Sequence, residues 1–143
     1  MKFLKNMLVP KRVKFRKWQR MATKRKLVET RGVSLSYGAF GLKADEACWV
    51  NSKQLEAARK AMTHYIQRGG KIWIRIFPDK PITAKPPEVT MGGGKGDVAG
   101  YVFPVLPGRI IFEMDGVARD VAEEALRRAG AKLPIRTRFV ARN

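Results

Sequence analysis

The sequence predicts an α+β fold in which two helices pack on a largely antiparallel sheet to form a sandwich. Two segments have the spacing of apolar residues that is typical of helices, and several short segments alternate apolar and polar residues, as strands do. A hydrophobic content of 45% over 143 residues is enough for one domain with a modest core. We therefore predict a single domain over residues 27–143, preceded by an N-terminal arm over residues 1–26.

The predicted arm is strongly basic and contains no acidic residue. It carries 11 of the 30 Lys and Arg residues, whereas all 12 Asp and Glu residues lie further along the chain. Such a segment is too charged to bury itself, so we expect it to be extended and to become ordered when phosphate groups neutralise it. The formal net charge of +18 implies a polyanionic partner, for which nucleic acid and anionic membrane are the two candidates.

The apolar pattern does not favour a membrane. No run approaches the roughly 18 apolar residues of a membrane span. Lys5 and Asn6 interrupt the apolar residues at the start, where a signal peptide needs a continuous core. A transit peptide would be richer in Ser and more amphipathic. We therefore expect a cytoplasmic protein whose partner is a nucleic acid.

The first helix is predicted to begin at Asn51 and to end at Gly69-Gly70. Asn51 and Gln54 have the three-residue spacing of a capping box, and Gly commonly ends a helix. Four apolar residues share the predicted buried face: Leu55, Ala58, Met62 and Ile66. The opposite face is basic, and is either a solvated surface or a phosphate-binding one: Lys53, Arg59, Lys60 and Arg68.

Three further segments are predicted to contain strands: 33–50, 71–77 and 133–140. The segment 71–77 alternates strictly and is expected to be a central strand, with Ile72, Ile74 and Ile76 on one side. Its other side, with Trp73 and Phe77, is either a stacking platform for bases or a surface covered by a helix or loop; we favour the covered surface. Basic residues alternate with apolar ones in the last two segments: Lys71, Arg75, Arg136 and Arg138.

A hairpin is predicted around Leu106–Arg109, because Pro and Gly stand where a type II turn needs them between the apolar segments 98–106 and 109–114. A second helix is expected over residues 117–129, with Gly130 as its stop. Its inward residues are expected to be Val117, Val121, Ala125 and Leu126. Five acidic residues lie on or just before it, so this face is expected to point away from RNA: Glu113, Asp115, Asp120, Glu123 and Glu124.

The segment 78–97 is predicted to be one long Pro/Gly-rich loop with a functional role. About 20 residues without periodicity are uncommon in so short a domain unless the loop has a task, although a disordered surface loop is the alternative. Prolines stiffen its first limb, and the glycines at its tip allow backbone N–H groups to approach phosphate. Three lysines supply charge: Lys80, Lys85 and Lys95.

The motifs that suggest catalysis are incomplete. The sequence GGGKG at 92–96 resembles a phosphate-binding loop, but Val89 and Gly96 stand where the Walker pattern needs Gly and Ser or Thr. His64 has no Ser, Cys or Asp at the spacing of a triad, and Cys48 is most simply a small core residue. No metal-binding pattern is present. We therefore expect neither an enzyme nor a cofactor or metal site.

Several strings together resemble the bacterial ribosomal protein L-sixteen family of the large subunit, in order and spacing, from about Met7 to the C-terminus. The strings are KRVKFRK (11–17), FGLKA (40–44), EAARKAMT (56–63), KIWIRIFPDKPIT (71–83), MGGGKG (91–96), MDGV (114–117) and AKLPI (131–135). The resemblance implies an α+β domain on large-subunit ribosomal RNA, near the cleft for aminoacyl-tRNA and the peptidyl-transferase region. It also implies neighbouring ribosomal proteins as partners.

The resemblance assigns two groups of residues. Arm residues are expected along RNA backbone, with the two aromatic residues stacking against bases: Lys11, Arg12, Lys14, Phe15, Arg16, Lys17 and Trp18. Loop residues are expected nearest the tRNA: Lys80, Lys85, Met91, Gly92, Gly94, Lys95 and Gly96. Further candidates for binding ribosomal RNA lie in the domain: Arg59, Lys60, Arg75, Arg136 and Arg138.

The chain departs from the family pattern at three places. Thr90 stands where many relatives have an Arg that some bacteria hydroxylate, and Gly93 replaces the first Lys of the usual MGKGKG. Six residues precede Met7, which looks like the usual start. Two other functions are considered: an RNA-binding or RNA-chaperone module outside the ribosome, and a phosphate-handling enzyme. The incomplete Walker pattern argues against the enzyme.

Overall fold

The computed structural model describes residues 8–20, 27–67 and 69–143. Over these residues the helices and strands follow one another as β1 (Phe40–Ala44), β2 (Cys48–Asn51), α1 (Ser52–Tyr65), β3 (Lys71–Ile74), β4 (Lys80–Ala84), β5 (Asp97–Val105), β6 (Ile110–Asp115), α2 (Arg119–Gly130) and β7 (Thr137–Ala141). The predicted α+β class, with two helices and antiparallel strands, is confirmed.

The described strands form two sheets rather than one. A four-stranded sheet has the order β3-β6-β1-β7, and a three-stranded sheet has the order β2-β5-β4. Every neighbouring pair is antiparallel. The helices α1 and α2 pack against each other, and the core is formed where they cover strands of both sheets.

The helix α1 begins as its sequence predicts. The Asn51 side chain accepts a hydrogen bond from the Gln54 amide at 2.9 Å, and Gln54 Oε1 accepts one from the Asn51 amide at 3.0 Å. Leu55, Ala58 and Met62 are fully buried on the predicted face. The helix ends at Tyr65, which is earlier than the predicted glycine pair.

Gly70 has a different role from the predicted helix stop. A Cβ at this position would lie 2.5 Å from the Asp115 carbonyl oxygen at the end of β6, and its φ is +70°. Only glycine fits so close an approach in this conformation. Gly70 therefore allows the chain to pass close to the end of β6 as it enters β3.

The prediction that segment 71–77 is a central strand is wrong. The strand β3 ends at Ile74 and lies at the edge of its sheet, whereas β6 is paired on both sides. All residues from Ile110 to Met114 are buried, as expected for a strand covered on both faces. In β3 only Lys71 is exposed, and Ile72, Trp73 and Ile74 are half-buried, so the strand is less covered than β6. Trp73 is covered by a loop residue, because its ring stacks on Tyr37 at 6.0 Å, while Phe77 is exposed.

The turn at Leu106–Arg109 is present, but the predicted hairpin is not. The Arg109 amide donates to the Leu106 carbonyl at 3.2 Å, and Gly108 has a φ of +99°. The flanking strands β5 and β6 belong to different sheets. A turn of this type does not match the twist of a paired hairpin, so it carries the chain from one sheet to the other.

The helix α2 uses a slightly different face from the one predicted. Its fully buried residues are Ala122, Ala125, Leu126 and Ala129. Val121 is only half-buried, and Val117 precedes the helix although it packs on the core. Alanines allow a closer approach to α1 and to the sheet than valine does, which explains why they face inward.

The predicted loop 78–97 contains a strand. Residues 80–84 form β4, which pairs with β5, so the irregular segment is limited to residues 85–96. The strand β4 lies at the edge of the three-stranded sheet. Proline is tolerated at a sheet edge because no ladder hydrogen bond from its nitrogen is needed there, and Pro81 therefore does not prevent the strand.

A buried carboxylate joins the four-stranded sheet to the segment that precedes β1. Glu113 in β6 is completely buried, and its side chain accepts hydrogen bonds from the Ser36 amide at 2.6 Å and the Tyr37 amide at 3.1 Å. Arg75 Nη1 lies 3.5 Å from Glu113 Oε1, and Arg75 Cζ lies 5.3 Å from the centre of the Tyr37 ring. Arg75 Nη1 also donates to the Ser34 carbonyl at 3.2 Å.

We expect Glu113→Ala to lower the free energy of unfolding by about 3 kcal/mol or more, because it leaves a largely buried Arg75 without its counter-charge. Two backbone amides also lose their acceptor. Urea denaturation followed by circular dichroism measures the change. Glu123→Ala, at an exposed position of α2, is the matched control and should change stability by less than about 0.5 kcal/mol. Equal effects of the two substitutions would contradict the role of Glu113.

Candidate nucleic-acid interface

The described part of the arm, residues 8–20, forms no helix or strand. Leu8 packs against the hydrophobic core, so this part of the arm starts from a fixed point on the domain. Lys17 is half-buried, and the other predicted RNA-binding residues of the arm are exposed. Among them, Phe15 and Trp18 show 64% and 42% of their surface to solvent. The arm therefore presents cations and aromatic rings outward together.

The arm is fastened to the glycine-rich loop by three contacts, which we call the arm–loop latch. Lys95 Nζ donates to the Trp18 carbonyl, and Lys17 Nζ donates to the Lys95 carbonyl at 3.2 Å. Arg16 Nη2 lies 3.5 Å from Asp97 Oδ1 at the start of β5. Each segment thus supplies a lysine to a backbone carbonyl of the other. The structure brings together two of the predicted groups of site residues.

The tip of the loop is open backbone. Gly92, Gly93 and Gly94 all have positive φ, and a Cβ at any of them would meet no atom within 4 Å. Met91 is completely exposed beside them. Backbone in this conformation, without side chains, can approach a phosphate or a base closely.

The loop lysines hold the loop together. Lys85 Nζ donates to the Gly92 carbonyl at 2.7 Å, and Lys95 is part of the latch. Gly96 closes the loop base, since a Cβ there would lie 2.6 Å from the Ala84 carbonyl oxygen. The predicted loop residues Lys85 and Lys95 are therefore positioning residues as well as charges. The contact of Lys95 with Trp18 joins residues that are 77 positions apart, so the sequence around either residue does not indicate it.

Lys80 is not a loop residue, which corrects its predicted place. It lies in β4 with 7% of its surface exposed, and its Nζ is 4.7 Å from the centre of the Trp49 ring. Arg20, the last described residue of the arm, has its Cζ 5.8 Å from the same ring centre. Trp49 thus gathers two cations near the point where the arm passes.

A second basic surface lies in a groove between α1 and α2. It includes the predicted residues Arg59 and Lys60. The groove is lined by Ala57, Arg59, Lys60, Ala61, Thr63, His64, Gln67, Arg127, Arg128, Ala131 and Lys132. The exposed acids Asp120 and Glu123 lie nearer the start of α2, so the end of this helix is basic although its beginning is acidic. Arg127 and Arg128 lie beside α1 because the two helices pack together, and the periodicity of either helix alone does not predict that packing.

The acidic groups beside this groove are neutralised by arginines. Glu124 accepts hydrogen bonds from Arg127 at 2.7 Å and from Arg128 at 3.0 Å, and these bonds lower the pKa of its carboxyl to about 2. A hydrogen bond from Arg59 likewise lowers the pKa of Glu56. Arg128 Cζ also lies 4.3 Å from the centre of the Tyr65 ring. The groove therefore keeps a positive potential despite the nearby carboxylates.

The remaining predicted residues differ in their surroundings. Arg75 is turned inward to Glu113, so little of its guanidinium is available to RNA. Arg136 and Arg138 are exposed and form ion pairs of 3.3 Å with Glu46 and Asp45, respectively. Surface pairs of this kind are weak and can be exchanged for phosphate.

The order of these features along the chain agrees with one known family. A family model described as Ribosomal protein L16p/L10e matches residues 10–140. The chain belongs to this family. The match starts inside the arm and extends through the glycine-rich loop and both helices, so it covers nearly the whole described structure. The predicted resemblance to the L-sixteen family is confirmed.

Membership of the L16p/L10e family makes this chain a structural protein of the large ribosomal subunit, associated there with ribosomal RNA and other ribosomal proteins. Proteins of this family are generally structural rather than enzymatic. Within the described residues, no three or more His, Cys, Asp or Glu side chains are grouped as metal ligands would be. Neither described helix is long and apolar enough to cross a membrane.

We expect Lys95→Ala to release the arm from the loop of this L16p/L10e-family chain. Losing this exposed hydrogen bond, worth about 1 kcal/mol, should speed chymotrypsin cleavage after Phe15 or Trp18 about fivefold in the free protein. Lys53→Ala is the control, because it removes an exposed lysine of α1, outside the arm and the loop. Unchanged cleavage in Lys95→Ala would show that the latch does not hold the arm.

We expect the Glu124 carboxyl to titrate near pH 2 in the folded protein. Its pKa is depressed, so the stability that its pairs contribute is present above the ordinary carboxyl pKa and is lost as the pH falls from about 4.5 to about 2. An NMR titration of the side-chain carbonyl measures the midpoint. Replacing both Arg127 and Arg128 by Ala should raise it toward 4.5; a midpoint near 4.5 in the unsubstituted protein would contradict the pairing.

Proposed function

We propose that this chain binds large-subunit ribosomal RNA near the aminoacyl-tRNA site and supports the positioning of tRNA in translation. The arm–loop latch is the observation that carries the proposal. It joins the most basic segment of the chain to its most open backbone, so that both act as one surface on RNA. Peptide-bond formation itself is left to the RNA in this proposal, and the protein works in the cytoplasm as part of the ribosome.

The mechanism is electrostatic and architectural. Arm cations replace the counterions condensed on RNA phosphates, and the released counterions favour binding. Lys11 and Arg12 are exposed, so their charge is available for this exchange. The latch then transmits the position of the arm to the loop, whose tip is held at a fixed distance from the bound RNA.

The two halves of the surface have different tasks. The arm supplies charge and area, and so it dominates affinity for the subunit. The loop tip has no side chain over three consecutive glycines and buries little, so it contributes shape near the tRNA. The inter-helix groove adds a second set of cations on the domain, which suits another stretch of RNA backbone.

Sedimentation in sucrose gradients tests the proposal. Tagged protein from its own cells is expected to co-migrate with the large subunit at low magnesium and through salt washes. Replacing Lys11, Arg12 and Lys14 together by Ala should lower the salt at which the protein is released, since up to three phosphate contacts are lost and each changes the log-log slope by about 0.7 to 0.9.

Phe15→Ala is the control for the same experiment, because it alters the arm without removing a cation. It should leave the salt dependence of release unchanged. Tagged protein that sediments free of the large subunit, or on unrelated RNA, would overturn the proposed function in favour of an RNA-binding module outside the ribosome. Release of the triple variant at the same salt as the unsubstituted protein would refute the role of the arm.

A further inference from the structure

A pocket lies where the arm crosses the three-stranded sheet, and we call it the two-tryptophan pocket. It has a volume of about 220 Å³ and is lined by Trp18, Arg20, Trp49, Lys80, Pro81, Ile82, Thr83 and Lys95. The arm, β2, β4 and the loop each contribute to it. The latch that joins Lys95 to the Trp18 carbonyl connects two of its lining residues, so the arm and the loop both form its wall.

The charge of the pocket is entirely positive. Arg20, Lys80 and Lys95 line it, and none of its lining residues is acidic. The Trp49 ring places two of these cations, since Lys80 Nζ and Arg20 Cζ lie 4.7 Å and 5.8 Å from its centre. A cation over an indole face is held by the ring quadrupole and keeps its charge. The pocket thus offers a fixed site for an anionic group.

Trp18 offers a surface of a different kind. Its carbonyl is held by Lys95, which fixes the backbone, while 42% of the residue is exposed. An indole ring at the mouth of a cationic pocket is a platform on which a nucleobase can stack. The Trp49 ring contacts Arg20 and Lys80, so it holds the cations of the pocket. The exposed Trp18 ring is the one available for stacking with a base.

We propose that the two-tryptophan pocket binds one unstacked nucleotide of single-stranded RNA. The base stacks on Trp18, and the adjoining phosphate lies against Arg20. The pocket is smaller than the roughly 300–1,000 Å³ of sites that enclose drug-sized ligands, which suits a single base and excludes a paired one. This inference rests on the proposed function, and adds to it that the arm recognises a loop, bulge or end in the RNA.

Binding of labelled RNA to the full chain, followed by fluorescence anisotropy, tests the pocket. The probes are a single-stranded octaribonucleotide and a hairpin-free duplex of the same strand. Trp18→Ala should weaken binding of the single strand roughly 10- to 100-fold with an unchanged salt dependence, because it removes stacking and no charge. Binding of the duplex should change less than twofold. Trp18→Phe retains a ring and should retain most of the affinity.

A second variant separates stacking from charge. Arg20→Ala should weaken binding of the single strand and also reduce the log-log salt slope by about 0.7, the value for one phosphate contact on a single strand. Circular dichroism of each variant, together with the rate of chymotrypsin cleavage after Phe15, which every variant retains, establishes that the fold and the latch are retained. Adenosine monophosphate is the third probe; if it competes for the pocket as well as the octamer does, the ligand is a free nucleotide and the assignment to RNA is wrong.

The outcomes distinguish the pocket from the proposed function. If Trp18→Ala binds the octamer as the unsubstituted chain does, or loses single strand and duplex equally, the pocket proposal is overturned. Should that variant still co-sediment with the large subunit, the ribosomal function stands without the pocket. If the unsubstituted chain does not sediment with the large subunit at all, the proposed function fails whatever the octamer shows.

Discussion

The structure depends on the burial of a single carboxylate, Glu113, in the middle of its most buried strand. A buried charge is tolerated only when it is paired and hydrogen-bonded, and its partners come from two other parts of the chain. Arg75 follows β3, and the amides of Ser36 and Tyr37 precede β1. The carboxylate therefore fixes an edge strand and a connecting segment onto β6 at once.

A second arginine extends this network toward the arm. Arg109 donates to the Arg75 carbonyl at 3.3 Å and to the Arg31 carbonyl at 3.2 Å, and its guanidinium is 4.0 Å from Glu29. Gly32, where the segment passes over Arg109, has a φ of +64°, a conformation that favours glycine. The segment 29–37 is thus held against β6 and the turn before it by contacts along its length.

The sequence was most informative where structure is decided locally. The capping box at Asn51 and the turn at Leu106–Arg109 depend on a few adjacent residues, and both were predicted correctly. The pairing of β5 and β6 was predicted wrongly because a turn does not determine which sheet its flanking strands join. The position of segment 71–77 in the sheet was predicted wrongly for a related reason. Alternation indicates a strand, but whether the strand lies at the edge or in the middle of the sheet depends on strands elsewhere in the chain. The strand β4 was missed because prolines concealed it.

The candidate site followed the same division. Charge composition indicated the arm, and the length and glycine content of segment 78–97 indicated the loop, which the resemblance placed near tRNA; none of these indicated that the two are joined. The latch consists of lysines on backbone carbonyls, and a carbonyl is present at every residue, so sequence carries no mark of it. The basic groove was likewise hidden, because its two walls come from helices separated by more than fifty residues.

The latch also has a consequence for the newly made chain. Its partners Trp18 and Lys95 are 77 residues apart, and at about 5 to 20 residues per second the ribosome needs roughly 4 to 15 seconds to synthesise the interval. The arm leaves the exit tunnel first and has nothing to dock on until the β4–β5 hairpin follows. For those seconds the most cationic stretch of the protein has not yet formed the latch, and its 11 Lys and Arg residues are open to nonspecific contact with other polyanions.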